Sequence, residues 1–294
     1  MDVQWELIIF TLFITIGAGV FGVTGVLAGL KKGTKIQSIG PVAALVAVAI
    51  GGVASFLHLQ YWERAFNGFG NLTSGITQEM IAIVVFGLLA IVYIVLARRG
   101  EIPTWAGWAA AAISVILVVV MAHSYNVAAR PAWNTPLLWL YYLSNAVLFG
   151  GLICSAFLGI TKEEETGIVV KTSIAGGVLT AVVALCYCFY IQAAASDFTF
   201  VEYYFDPTQP TKALNDPVGA LSSFATGPEA LLFWGGVLAI GALVPLAIAF
   251  FFRKKTGNTL IGLASGGAVC AVIGGISFRF ILYAMSFSVF IFYR

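Results

Sequence analysis

Long apolar runs separated by short polar connectors dominate this chain. They cover about 5–30, 39–60, 79–97, 104–123, 136–160, 168–195, 229–252 and 259–291. A helix needs about 20 mostly apolar residues to cross the roughly 30 Å hydrocarbon core of a bilayer. Each run approaches or exceeds that length, and none shows the alternating short segments of a transmembrane barrel. In lipid such runs satisfy their backbone groups internally only as helices. The pattern predicts an all-α integral membrane protein, a bundle of eight transmembrane helices forming a single domain over residues 1–294.

Composition agrees with the pattern. Hydrophobic residues make up 60% of the chain and charged residues 10%, with mean hydropathy +0.98. Soluble domains carry about 25% charged residues, so both a soluble fold and a disordered chain are excluded. The first residues, Met-Asp-Val-Gln-Trp-Glu, hold two acids and no base. That is the wrong start for a cleaved signal peptide, so the first span is expected to be retained. The four cysteines, Cys154, Cys186, Cys188 and Cys270, lie in apolar runs without a C-x-x-C pair. They read as small buried hydrophobes, and no metal or iron–sulfur ligand set is expected in this chain. The bases are scattered, so no nucleic acid partner is expected. Gly25-Val-Leu-Ala-Gly29 and Gly262-Leu-Ala-Ser-Gly266 fit the small-xxx-small pattern of closely packed membrane helices. No internal repeat is visible.

Charge orients the bundle. Connectors after spans 1, 3, 5 and 7 carry ten bases: Lys31, Lys32, Lys35, Arg98, Arg99, Lys162, Lys171, Arg253, Lys254 and Lys255. The opposite face carries four, Arg64, Arg130, Lys212 and Arg294. Lysine and arginine favour the cytoplasmic side, so both termini are expected outside the cytoplasm. Most acids lie on that outer face, as does the longest connector, residues 196–228, rich in aromatics and proline. A connector of that length suits a docking surface.

The polar residues of the spans gather at their outer ends. Span 2 ends His58-Leu-Gln-Tyr-Trp-Glu-Arg64-Ala-Phe-Asn67, span 3 opens Thr77-Gln78-Glu79, and span 4 ends His123-Ser-Tyr125-Asn126. In span 8, Arg279 and Tyr283 are four apart and share a helix face. Ionisable groups near or within spans are candidates for function because burying them is costly. Plainer roles exist for several: Arg64 can snorkel to headgroups, Glu79 and Thr77 can serve a helix N-terminus, and His123 suits an interfacial position.

Two histidines at similar depth suit bis-histidine ligation of one b-type haem. The same set suits a quinol, whose oxidation releases two electrons and two protons. A neutral imidazole can accept a hydroxyl proton, a carboxylate at the water edge can pass it on, and Arg and Asn can hold the ring oxygens. A small-molecule transporter fits less well, because the polar residues cluster near one face rather than at the midplane.

His58-Leu-x-x-x-x-Arg64-Ala-Phe-Asn67 followed by Gln78-Glu79 resembles the eight-helix membrane-anchor subunit of dimethyl sulfoxide reductase. Tyr125-Asn126 with Pro131-x-Trp-Asn-Thr-Pro, and Arg279-x-x-x-Tyr283, carry the resemblance onward. It implies a multi-pass subunit of a prokaryotic cytoplasmic membrane that oxidises menaquinol to menaquinone and holds no haem or iron–sulfur cluster of its own. The implied partners are a four-cluster ferredoxin-like iron–sulfur subunit, expected to dock on the outer face, and a molybdopterin catalytic subunit. The family's quinol-site histidine falls on His58, its neighbouring arginine on Arg64, and its acidic residue on Glu79. His58 and Glu79 are thus the expected proton-handling residues. Arg64, Asn67, His123, Tyr125, Asn126, Arg279 and Tyr283, together with His58, are the expected quinol-binding set. Two positions depart from the family pattern. His123 stands where an arginine is usual, and Gly275 stands where the last span often has an acid.

Overall fold

A computed structural model describes residues 4–59, 61, 67–100, 102–128, 130, 132–163, 167–195 and 224–286. Arg64, residues 196–223 of the long connector and residues 287–291 of the last apolar run lie outside the described residues. The eight spans are helices: α1 Trp5–Gly29, α2 Gly40–His58, α3 Gly75–Arg99, α4 Thr104–Ser124, α5 Pro136–Thr161, α6 Gly167–Ala195, α7 Leu232–Phe252 and α8 Gly257–Ala284. Among the described residues there is no strand. All eight are long and apolar enough to cross a membrane.

The helices form two squares of four. α1 packs on α2 and α4, and α3 closes the first square against both. α5 packs on α6 and α8, and α7 closes the second. α1 and α5 join the squares and are the most buried helices, whereas α3 is the least. The helices are apolar nearly all round, because lipid and protein interior are alike to a hydrocarbon side chain. Small residues rather than an apolar stripe therefore decide which faces meet.

Glycines mark those meetings. A Cβ added to Gly19 of α1 falls onto the Ala146 carbonyl oxygen of α5, and one on Gly150 returns onto Gly19. Gly25 lies against Gly107 of α4, where a Cβ would sit 2.5 Å from the Gly107 carbonyl oxygen, and Gly29 meets the Trp108 ring. The first small-xxx-small pair is thus a packing seam. The second is not: Gly262 and Gly266 are exposed, and a Cβ on either meets nothing within 4 Å. On α8 the close approach is made instead by Gly274, which lies against Gly241 of α7. Through this contact region α7 is wound with i→i+5 hydrogen bonds, Leu232–Leu243, and returns to α-helix at Val244 just before Pro245.

At the end where α1 finishes and α2 begins, the Glu163 carboxylate accepts from the Lys35 backbone N–H (2.9 Å) and the Thr34 hydroxyl (3.3 Å). This ties the α1–α2 connector to the α5–α6 connector and clips the squares together there.

Candidate functional site

The outer-end residues singled out from the sequence lie at the terminal end of the bundle, where α1 begins and α8 finishes. α3 starts at Gly75, four residues before Glu79. The Thr77 hydroxyl donates to the Gly68 carbonyl at 2.7 Å and ties the short helical turn at 67–70 to α3. Gly75 lets α3 lean on the end of α4, since a Cβ there would sit 3.1 Å from the Ser124 Cα. Glu79, one turn in, consequently points into the bundle and is 8% exposed, rather than standing at the water edge. The Ser124 hydroxyl donates to Glu79 Oε2 at 3.4 Å, and Oε1 is buried without a partner.

Tyr125, which ends α4, is buried beside Glu79, Tyr142 and Tyr283. Burial pushes its phenol well above the usual range, and those neighbours add to the effect because each would oppose a phenolate. The Tyr283 hydroxyl lies beside Tyr125 without closing a hydrogen bond of normal geometry. Trp133 of the α4–α5 connector fixes this corner. Its indole N–H donates to the Leu282 carbonyl at 2.8 Å, its ring meets Tyr125 and Tyr283, and the Arg130 guanidinium lies 4.4 Å over it.

Arg279 is fully buried where α8 meets α1. Its Nε donates to Thr11 Oγ1 (2.8 Å), Nη1 to the Gly275 carbonyl (2.9 Å), and Nη2 to Thr15 Oγ1 (3.0 Å) and the Thr11 carbonyl (3.2 Å). The guanidinium also lies 4.8 Å from the Tyr142 ring centre. All these partners are neutral. Asn145 of α5 is buried near Gly275 and Arg279, with both amide atoms unpartnered. Buried polar groups are normally satisfied, so the orphaned atoms of Glu79, Asn145 and Tyr283 mark a polar interior with unused hydrogen-bonding capacity.

The structure therefore brings Glu79, Tyr125, Arg279 and Tyr283 into one corner, through Tyr142. The other expected residues stand apart from it. His58 is half-buried as the last residue of α2 and makes no described hydrogen bond. Asn67 is exposed, and Asn126 is half-buried with its backbone N–H on the His123 carbonyl. His123 is exposed, its ring edge-on to Trp139 at 5.5 Å. Among the described residues no three His, Cys, Asp or Glu side chains converge as metal ligands. Thr11, Thr15, Tyr142 and Asn145 escaped the sequence reading because they lie within apolar runs, and Ser124 was passed over between His123 and Tyr125. The available signal was polar side chains inside a span, with Thr11 and Thr15 one turn apart.

The family model described as DMSO reductase anchor subunit (DmsC) matches residues 1–200. The C subunit of the anaerobic dimethyl sulfoxide reductase of Haemophilus influenzae is 33% identical over 127 residues, 41% of this chain and 45% of that protein. The alignment thus spans less than half of that relative's length.

Proposed function

The chain belongs to the DMSO reductase anchor subunit family, and from that premise we propose that it oxidises menaquinol at the terminal end of its bundle. The observation that carries the reading is Glu79: a carboxyl group buried one turn inside α3, held by Ser124 and with Oε1 lacking a partner among the described residues. A group that must take up and release a proton in contact with a lipid-soluble donor needs this kind of site, out of water and with one oxygen open.

Menaquinol reaches the site laterally from the membrane. The His58 imidazole takes a proton from one ring hydroxyl, and Arg64 and Asn67 orient the head group. Glu79 carries protons toward the water boundary, and Tyr125, Tyr283 and Arg279 set the polarity of the corner around it. Each quinol yields menaquinone, two protons and two electrons. The electrons pass to an iron–sulfur cluster of a partner subunit and on to a molybdopterin reductase, which selects the terminal acceptor. The charge bias of the connectors supports a site and docking face outside the cytoplasm, and membership of the family supports the inner membrane of a prokaryote.

The test uses the intact membrane complex with two electron donors, a menaquinol analogue and a water-soluble dye that feeds the catalytic subunit directly. Glu79→Gln is expected to lower the quinol-driven rate at least tenfold and leave the dye-driven rate unchanged. An unchanged quinol-driven rate would overturn the assignment.

A further inference from the structure

As successive spans, α2 and α3 run antiparallel, and they meet where a Cβ on Gly87 of α3 would stand 4.0 Å from Leu45 of α2. Seven residues make about two helical turns and roughly 10 Å of rise. Gly52 therefore lies outward of Leu45 on the same face of α2, and Met80 lies outward of Gly87 on the same face of α3. The two are level. If the helices stayed together to this level, the long Met80 side chain would touch a Cβ on Gly52. Among the described residues that Cβ meets nothing within 4 Å. Met80 reaches the 67–70 turn instead, its Cε 3.2 Å from a Cβ placed on Gly68. The two helices part toward the terminal end.

They part because each is held by a different neighbour. α2 stays on α1, where a Cβ on Gly51 would sit 3.0 Å from the Phe10 carbonyl oxygen. α3 leans on α4 through Gly75 and Ser124. The parting lies at the depth of Glu79, the residue before Met80, whose carboxyl group is buried in the bundle. Its inner end is the Leu45–Gly87 contact, about 12 Å from Glu79 along α3. Gly52, Met80 and Ile83 face it, all half-buried and none charged. Beside them Val53 is 62% and Val84 56% exposed, so the parting opens into lipid.

We propose that this parting is the lateral entry for menaquinol: the ring passes in between Gly52 and Met80, and the isoprenoid tail stays between α2 and α3, trailing past Val53 and Val84 into lipid. The inference rests on quinol oxidation at Glu79 and adds the path that the substrate takes. Three features select this occupant. The facing side chains are apolar, which suits a hydrocarbon tail and not a polar solute. The opening faces lipid, the phase in which a tailed quinol dissolves. Its depth is that of the carboxyl group the ring must reach. Gly52 keeps the way open, since any side chain there would project into the passage. Met80, with three rotatable bonds and a polarizable thioether, adapts to whatever part of the quinol lies against it.

The test compares two donors in the intact membrane complex: menaquinol with its full tail, and menadiol, which has the same ring and no tail. Gly52→Phe is expected to raise KM for menaquinol at least fivefold and KM for menadiol less than twofold. Gly262→Phe, which puts the same ring on the open surface of α8, is expected to match the wild type with both donors. An unchanged menaquinol KM in Gly52→Phe would overturn the entry path. An equal rise for both donors would overturn it too, because the added ring would then be disturbing the site or the fold. Glu79→Gln separates this proposal from the reading beneath it. It is expected to slow both donors alike, whatever Gly52→Phe does. Unchanged rates with both donors in Glu79→Gln would sink that reading, and the entry path with it.

Discussion

Arg279 of α8 donates from Nε to the Thr11 hydroxyl of α1 across 2.8 Å, and this bond lies where the two four-helix squares meet. The Thr11 hydroxyl in turn donates to the Leu7 carbonyl at 3.0 Å, so it is held in place to accept. Thr11→Val keeps the shape and removes the acceptor from a buried cation. Hydrogen bonds to charged groups are worth about 1.5–3 kcal/mol, so a loss of that order is expected, read as a lowered Tm in detergent. Thr11→Ser retains the acceptor and is expected to lose much less. Equal loss in both variants would show that the methyl group, not the hydroxyl, matters.

The glycine contacts separate positions that look alike in the sequence. A side chain at Gly19 runs into the Ala146 carbonyl of α5, and neither backbone can yield without parting the squares. Overpacking of this kind costs about 1–3 kcal/mol or more, so Gly19→Leu is expected to reduce accumulation in the membrane several-fold. At Gly52 a Cβ meets nothing within 4 Å, and Gly52→Ala is expected to be neutral or slightly stabilising through helix propensity. Quantitative immunoblotting of membranes reads both; a tolerated Gly19→Leu would refute the seam.

The helices were legible because the bilayer demands long apolar runs; the places where they meet were not. The third run was expected to open at residue 79, since Thr77, Gln78 and Glu79 read as a polar flank. The helix starts at Gly75 because Thr77 and Glu79 find their partners inside the protein, on Gly68 and Ser124. Glu79 and Arg279 stood out as charges in apolar surroundings, but nothing in their spacing showed that Tyr125, Tyr142 and Tyr283 would fill the space between them. Those contacts join α3, α4, α5 and α8, and a helix whose whole circumference is apolar does not announce its neighbour. Gly262 and Gly266 show the same limit, as a small-xxx-small pair that faces outward.

Tyr125 lies just past the end of α4, and burial raises its phenol well above the ordinary value. In the unfolded chain a tyrosine loses its proton near pH 10. Below that pH both states carry the neutral phenol, and Tyr125 adds no pH dependence. Above it the unfolded state gains by ionising while the folded state cannot, so stability falls as pH rises. Tyr125→Phe removes this loss. Its Tm between pH 9.5 and 11 is expected to decline less steeply than that of the wild type, with the two curves parallel below pH 9. Parallel curves throughout would show that Tyr125 ionises freely in the folded protein.

The direction of proton release decides whether this module conserves energy. In the proposed function, Glu79 receives protons at the terminal end, and the iron–sulfur partner takes electrons from the same end. Two protons and two electrons then leave each quinol on one side of the membrane, and no net charge crosses the hydrocarbon. Arg279 is consistent with this: a fixed, buried guanidinium whose partners among the described residues are neutral opposes passage of a second positive charge along the α1–α8 seam. In sealed proteoliposomes, quinol-driven turnover of the complex is expected to generate no lasting signal from a potential-sensitive dye. Its rate should be the same with and without an uncoupler. A sustained potential abolished by uncoupler would show charge crossing the bundle, and would overturn the placement of proton release and electron exit on one face.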